Sequence, residues 1–199
     1  MRFTSLLSAF LATLVVSNPI PNPEAASLRL LTRADPVYKD SPEYTVAIKA
    51  KPGLKKDTYH YFTLEWPLGT VPAANKETRA ELEKIRAKLG YDHIGVVVGQ
   101  ITEKSTTTKG KNPVTTIERN FNAVLWDLIK DDKAKVKERF KNWLNKGEDA
   151  QKLVYGGVTS ATKIGKVKKG AKDYTDANPD YKDTVNCGTF KDAIVAIVK

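Results

Sequence analysis

A single cysteine, Cys187, occurs in the 199-residue chain, within Asn186-Cys187-Gly188-Thr189-Phe190. In an exported chain a lone cysteine is either a free thiol or an intermolecular link. Phe190, Ala193, Ile194, Ile197 and Val198 recur at three- and four-residue spacing, which predicts a short helix with one apolar face. Cys187 then stands at a helix N-terminus, where unpaired N–H groups and the helix dipole favour a thiolate. A thiol nucleophile also needs a base, a group to orient that base, and donors for the oxyanion. The chain has two histidines, His60 and His93, and His93 is the natural base. His60 reads as a strand residue turned between strands or to solvent. The backbone N–H of Cys187 would serve the oxyanion.

The elements that must position these residues read as follows. His93 opens the most strand-like run of the chain, His93–Thr102, apolar on both faces and therefore central in a sheet. Tyr44–Ala50 and Tyr59–Trp66 have strand-like β-branched and aromatic content, closed by Pro52-Gly53 and Pro67. Asn75–Leu89 predicts a helix capped by Asn75 or Thr78 and ended by Gly90. Residues 103–112 form a polar hairpin loop. Val114 begins a returning strand, after which Phe121, Val124, Leu125, Leu128 and Ile129 fit a helix unless the strand persists to Asn122. Asp131–Asn145 predicts an amphipathic helix with Val136, Phe140, Trp143 and Leu144 inward. Leu153–Ile164 predicts a short strand or hairpin, and Gly165–Thr184 a lysine-rich surface loop. Mixed strands and helices without a repeat or an internal boundary predict one α+β domain.

The two halves His93-Ile94-Gly95-Val96-Val97-Val98 and Asn186-Cys187-Gly188-Thr189-Phe190 together resemble the circularly permuted papain-like superfamily. That group includes the permuted NlpC/P60 amidases, the lecithin:retinol acyltransferase-like proteins and the PPPDE-type isopeptidases. The shared pattern is a histidine opening a strand as H-x-G followed by valine-like residues, then N-C-x-x-F at a helix start. The resemblance implies an antiparallel sheet carrying His93, with a C-terminal helix beginning at Cys187 packed on it. It implies a thiol hydrolase or acyltransferase acting through a Cys–His dyad or triad on an amide or ester bond. Where many members carry a histidine two residues after the cysteine, this chain has Thr189, which bears more on the acyltransferase reading than on the thiol chemistry. The resemblance also implies a polar residue on the next strand to orient the imidazole. Folding His93–Thr102 back through 103–112 brings Asn120 or Asn122 opposite His93. Glu118, Asn120 and Asn122 share one face by the two-residue period, and the register favours Asn122. The candidate catalytic set is thus Cys187, His93 and Asn122.

Composition bounds the alternatives. Arg2 followed by the apolar run Leu6–Val16 predicts a signal peptide over 1–17, with 18–33 a propeptide or linker and 34–199 the domain. The reading is a secreted monomer without a transmembrane segment, since the leading run is too short for a bilayer span. The formal charge is +10, which suits anionic partners: nucleic acid, acidic polysaccharide, lipid headgroups or an anionic substrate. The lysines are nevertheless dispersed, as on an ordinary solvated surface. No CxxC or HExxH motif is present, so neither a metal nor a cofactor is expected. Two other readings stand beside the thiol site. Glu65-Trp66-Pro67, the histidines and Arg119 resemble the Glu/His/Arg chemistry of small secreted guanyl-type ribonucleases. A secreted basic binding or effector protein needs no catalytic residue at all.

Overall fold

The computed structural model describes residues 35–71, 79–131, 133–145 and 151–199. The expected signal peptide, the 18–33 segment and the caps Asn75 and Thr78 lie outside the described residues. All the described residues belong to one compact unit, Asp35–Lys199.

The first element is a short strand, β1 (Val37–Asp40), and the second is a helix, α1 (Pro42–Ala50). The β-branched content of Tyr44–Ala50 predicts a strand there, and it is outweighed by helix-start chemistry. Ser41 Oγ accepts from Tyr44 N–H at 3.1 Å, Pro42 occupies the first turn and Glu43 faces the helix dipole. Strand β2 (Tyr59–Pro67) follows as expected, then helix α2 (Arg79–Leu89) and strand β3 (Tyr91–Thr107).

Strand β4 (Thr115–Lys130) runs unbroken through the stretch that had helix-like spacing. Its Phe121 and Leu125 enter one core cluster while Trp126 and Leu128 enter the other. A strand buried on both faces has no polar alternation, so its apolar positions match a helical template equally well. Residues 131–145 likewise hold a strand, β5 (Val136–Asn142), and not an amphipathic helix. Val136 packs at the helical core cluster and Phe140 stacks on Trp126. Strand β6 (Lys152–Thr159) is followed by a helix, α3 (Ala161–Ala177), where a loop was expected. Ser160 caps it, and Val167, Ala171 and Thr175 form its buried stripe. Gly165 and Gly170 disguise it in sequence. Gly170 serves packing, because a Cβ there would stand 2.2 Å from Ile197 Cδ1 on the neighbouring helix. The last helix, α4 (Cys187–Val198), starts at the residue expected.

The six strands form one mixed sheet in the order β1-β4-β3-β2-β6, with β5 also paired to β4. The β1–β4 pair is parallel and the remaining pairs are antiparallel, so the expected antiparallel sheet is a mixed one through its β1 edge. The strand carrying His93 is antiparallel to both neighbours. Helices α2, α3 and α4 bury Ile85, Val167, Ala171, Phe190, Ile194 and Val198 against one face. Helix α1 and Trp143 cover the other, over Phe62, Leu64, Val97 and Leu125. This is an α+β domain with its C-terminal helix packed on the sheet. No helix among the described residues is long and apolar enough to cross a membrane.

Candidate functional site

Cys187 is the first residue of α4, and the local sequence builds its setting. Asn186 is the N-cap: its side-chain oxygen accepts from Gly188 N–H at 2.9 Å and Thr189 N–H at 3.2 Å. Thr189 Oγ1 accepts from Asn186 N–H at 3.0 Å, which completes a capping box. The Asn-Cys-x-Thr run is therefore first a helix start, and Thr189 is engaged in holding it. The thiol is free and buried.

The start of α4 lies at the His93 end of β3. Burial by itself would raise the Cys187 pKa. The His93 imidazole, acting as hydrogen-bond partner and as charge, the Tyr181 hydroxyl and the Ile94 backbone N–H outweigh it and hold the thiol below its ordinary range. The Tyr181 hydroxyl donates to the Cys187 sulfur at 3.8 Å. Burial raises the pKa of Tyr181, and of Tyr91 to about 12, so both phenols stay protonated beside the sulfur. The Cys187 backbone N–H faces the Tyr181 oxygen.

On its other side His93 meets a residue that the sequence reading missed. His93 Nε2 lies 3.1 Å from Asp127 Oδ2, and the Asp127 side chain is fully buried. Burial alone would lower the His93 pKa, but Asp127 and Cys187 both favour the imidazolium and push it up to about 9. For Asp127, burial works towards the neutral acid, and His93 and Arg139 outweigh it so that the carboxyl is held below its ordinary range. Trp66 faces His93 across the β2–β3 ladder, with ring centroids 4.9 Å apart.

The register explains how Asp127 arrives. Gly95 pairs with Asp127 in the β3–β4 ladder, which places His93 and Asp127 as diagonal neighbours on one face. Gly95 permits the close approach, since a Cβ on it would stand 2.9 Å from Trp126 O and 3.2 Å from Asp127 Cβ. The glycine of the H-x-G motif thus has a packing reason.

Asn122 is not brought to His93. It pairs with Gln100, seven residues along β3, or roughly 24 Å at about 3.4 Å per residue. Its exposed side chain donates to Thr102 Oγ1 at 3.0 Å. The correction follows from hairpin length: β3 continues to Thr107 and β4 to Lys130, which carries the residue opposite His93 well beyond Asn122. Asn120 pairs with Thr102 and Glu118 with Lys104, so neither reaches the site. Asp127 was hidden because residues 121–129 matched a helix; the available signal was a lone aspartate inside an apolar run, which in a core needs a partner.

The ribonuclease-type residues do not converge. His60 is buried near Tyr155, whose hydroxyl is 3.5 Å from Nδ1, and pairs with Gly99 at the far end of β2 from Trp66. Burial lowers its pKa. Glu65 points to the opposite face of β2 from His60 by the two-residue period. Arg119 is bound by Asp40 through two hydrogen bonds of 2.6 and 2.7 Å. Among the described residues no cluster of three or more His, Cys, Asp or Glu is arranged to hold a metal ion.

Beside the site, on the face shared by His93 and Asp127, a groove of about 440 Å³ is lined by Leu64, Trp66, Leu125 and Trp143, with Lys141 and Asn142 also on its wall. Trp66 belongs to both groove and site. No family model, curated protein or solved structure matches this chain.

Proposed function

We propose that this chain is a thiol-dependent hydrolase or acyltransferase acting on an amide or ester bond, with Cys187 as nucleophile and His93 as base. The observation that carries the reading is the placement of Cys187 at the His93 end of β3, where His93 in turn lies 3.1 Å from the buried Asp127. Asp127 takes the orienting role that the sequence reading gave to Asn122. It holds the imidazole by Nε2 and stabilises the imidazolium, as a triad carboxylate does. The histidine strand preceding the cysteine helix supports a permuted papain-like architecture.

The chemistry runs in two stages. The Cys187 thiolate attacks the carbonyl carbon and forms a C–S bond, with negative charge developing on the carbonyl oxygen. This reading gives that oxyanion the Tyr181 hydroxyl and the Cys187 N–H as donors. His93 then gives its proton to the leaving nitrogen or oxygen as the C–N or C–O bond breaks, leaving a thioester. Water or another acceptor, deprotonated by His93, attacks the thioester carbonyl; the C–S bond breaks, the acyl product leaves on the acceptor oxygen or nitrogen, and the Cys187 thiolate and His93 imidazolium are restored.

The test is hydrolysis of a panel of amide and ester substrates, with formation of an acyl-enzyme followed by intact-mass measurement. Acylation of wild type and none in Cys187→Ala or His93→Ala is the expected result; no acylation by any member of the panel in wild type refutes the enzyme reading. One observation favours the second reading, a secreted binding protein: Cys187 is only 1 % exposed, as an inert core cysteine would be. A Cys187 that titrates as an ordinary thiol would favour it.

A further inference from the structure

We propose that Arg139 is a positioning residue of the thiol site, which fixes the Asp127 carboxylate so that one of its oxygens is aimed at His93. The inference rests on the thiol-site reading above. Asp127 has no solvent contact, and a buried carboxylate needs compensating donors to remain charged. It has three: Arg139 Nε to Oδ1 at 2.9 Å, Arg139 Nη2 to Oδ2, and His93 Nε2 to Oδ2 at 3.1 Å. The two parallel bonds of the guanidinium fork fix the plane of the carboxylate, which a point cation would not do.

The need for a second cation arises from the reaction itself. His93 alternates between imidazolium and imidazole during turnover. When it has given its proton to the leaving group, Asp127 would be a buried anion facing a neutral ring. Arg139 leaves the carboxylate ionised and oriented through that step, so His93 recovers its proton in the same place. Strand β5 delivers the residue by register, since Arg139 pairs directly with Asp127. The β5 alternation puts Lys137, Arg139 and Lys141 on one face, against Val136, Glu138 and Phe140 on the other. Arg139 acts through Asp127 and has no contact with the sulfur.

The charged and titratable groups facing this cluster come from several elements. They are Asp127 from β4, Arg139 from β5, Tyr91 from β3, and Tyr181 from the segment before α4. Glu65 and Asp192 act on Tyr91, and Arg86 acts on Tyr181. Among the described residues Arg139 and His93 alone donate to the Asp127 carboxylate.

The experiment follows thiolate formation by its ultraviolet absorbance as a function of pH, with Cys187→Ala as the blank, a readout that does not depend on reagent access or on a substrate. The expected result is a rise of about one pH unit in the midpoint for Arg139→Gln, meaning about tenfold less thiolate on the rising limb. Asp127→Asn should move the midpoint in the same direction, and the double variant should match Asp127→Asn alone. Arg139→Lys should fall between wild type and Arg139→Gln, and serves as the reading if the glutamine variant does not fold. If Asp127→Asn moves the midpoint and neither arginine variant does, Arg139 is only a tie between β4 and β5 and the inference is overturned. If His93→Ala leaves the midpoint where it is, the thiol-site reading itself is overturned, and the inference with it.

Discussion

Gly95→Ala tests the link between strand packing and site geometry. The added Cβ would stand 2.7 Å from Leu125 Cδ1, 2.9 Å from Trp126 O and 3.2 Å from Asp127 Cβ. Leu125 can rotate, but the Trp126 carbonyl is backbone and moves only with β4. Ordinary contact there requires about 0.5 Å more separation between β3 and β4, set against a usual spacing of about 4.8 Å. That displacement carries Asp127 away from His93 and lengthens the 3.1 Å contact to about 3.6 Å, outside hydrogen-bond range. Overpacking of this kind costs about 1–3 kcal/mol, offset in part by about 0.4–1 kcal/mol from the stiffer unfolded chain. A net loss of about 1–2 kcal/mol lowers Tm by roughly 2–8 °C for a domain of this size. Circular-dichroism melting gives the first quantity and the thiolate titration the second. The variant should melt lower and its Cys187 midpoint should move up. An alanine variant with wild-type melting and a wild-type thiolate midpoint would show that Gly95 does not set the His93–Asp127 distance.

Further expectations separate the residues of the site. Asn122→Ala loses an exposed hydrogen bond and should change stability by no more than about 0.5 kcal/mol with the thiolate midpoint unmoved; loss of activity in an assay where wild type is active would return Asn122 to the site. Tyr181→Phe should reduce kcat by about a hundredfold or more if its hydroxyl meets the oxyanion, and an unchanged kcat would assign that charge to other donors. A third test uses the Asp127–His93 pair without the thiol. In Cys187→Ala, the depressed Asp127 pKa contributes stability that is present above 3.8 and lost as pH falls through the folded value. In wild type Asp127 and Cys187 together raise the His93 pKa against burial; in Cys187→Ala only Asp127 is left to do so, and the imidazolium it favours contributes stability that is present below 6.5 and lost as pH rises through the folded value. His60, lowered by burial, works in the opposite sense below 6.5. Melting curves across pH should therefore show an alkaline decline that disappears when His93→Gln is added; a decline of equal size in both chains would place its source elsewhere.

Residues whose local chemistry is self-contained were legible before any coordinates. The α4 start at Cys187 is encoded by a cap and a three/four apolar repeat within a dozen residues. Strands β2 and β3 are encoded by β-branched and aromatic runs bounded by proline and glycine. The elements that differ from the sequence expectation were decided by residues outside their own pattern, next to it for α1 and distant in sequence for β4 and α3. Thr45, Val46 and Ile48 look like a strand until Ser41 and Pro42 start a helix. Phe121–Ile129 looks like a helix until sheet neighbours cover both of its faces. The α3 lysines and glycines look like a loop until Val167 and Ala171 meet α4.

The candidate site divides along the same line. The sequence by itself singled out Cys187 and His93 as the candidate nucleophile and base, because a lone thiol at a helix start and a histidine opening a buried strand are local statements. It did not determine the third residue. That depended on the length of the β3–β4 hairpin, since a strand pairing register is a property of two segments and each added pair moves the partner by one residue. Only the tertiary structure placed Asp127 beneath His93, with Gly95 making room for it and Arg139 reaching it from β5. A buried carboxylate is tolerable only where such partners converge, and their convergence is decided by the packed sheet.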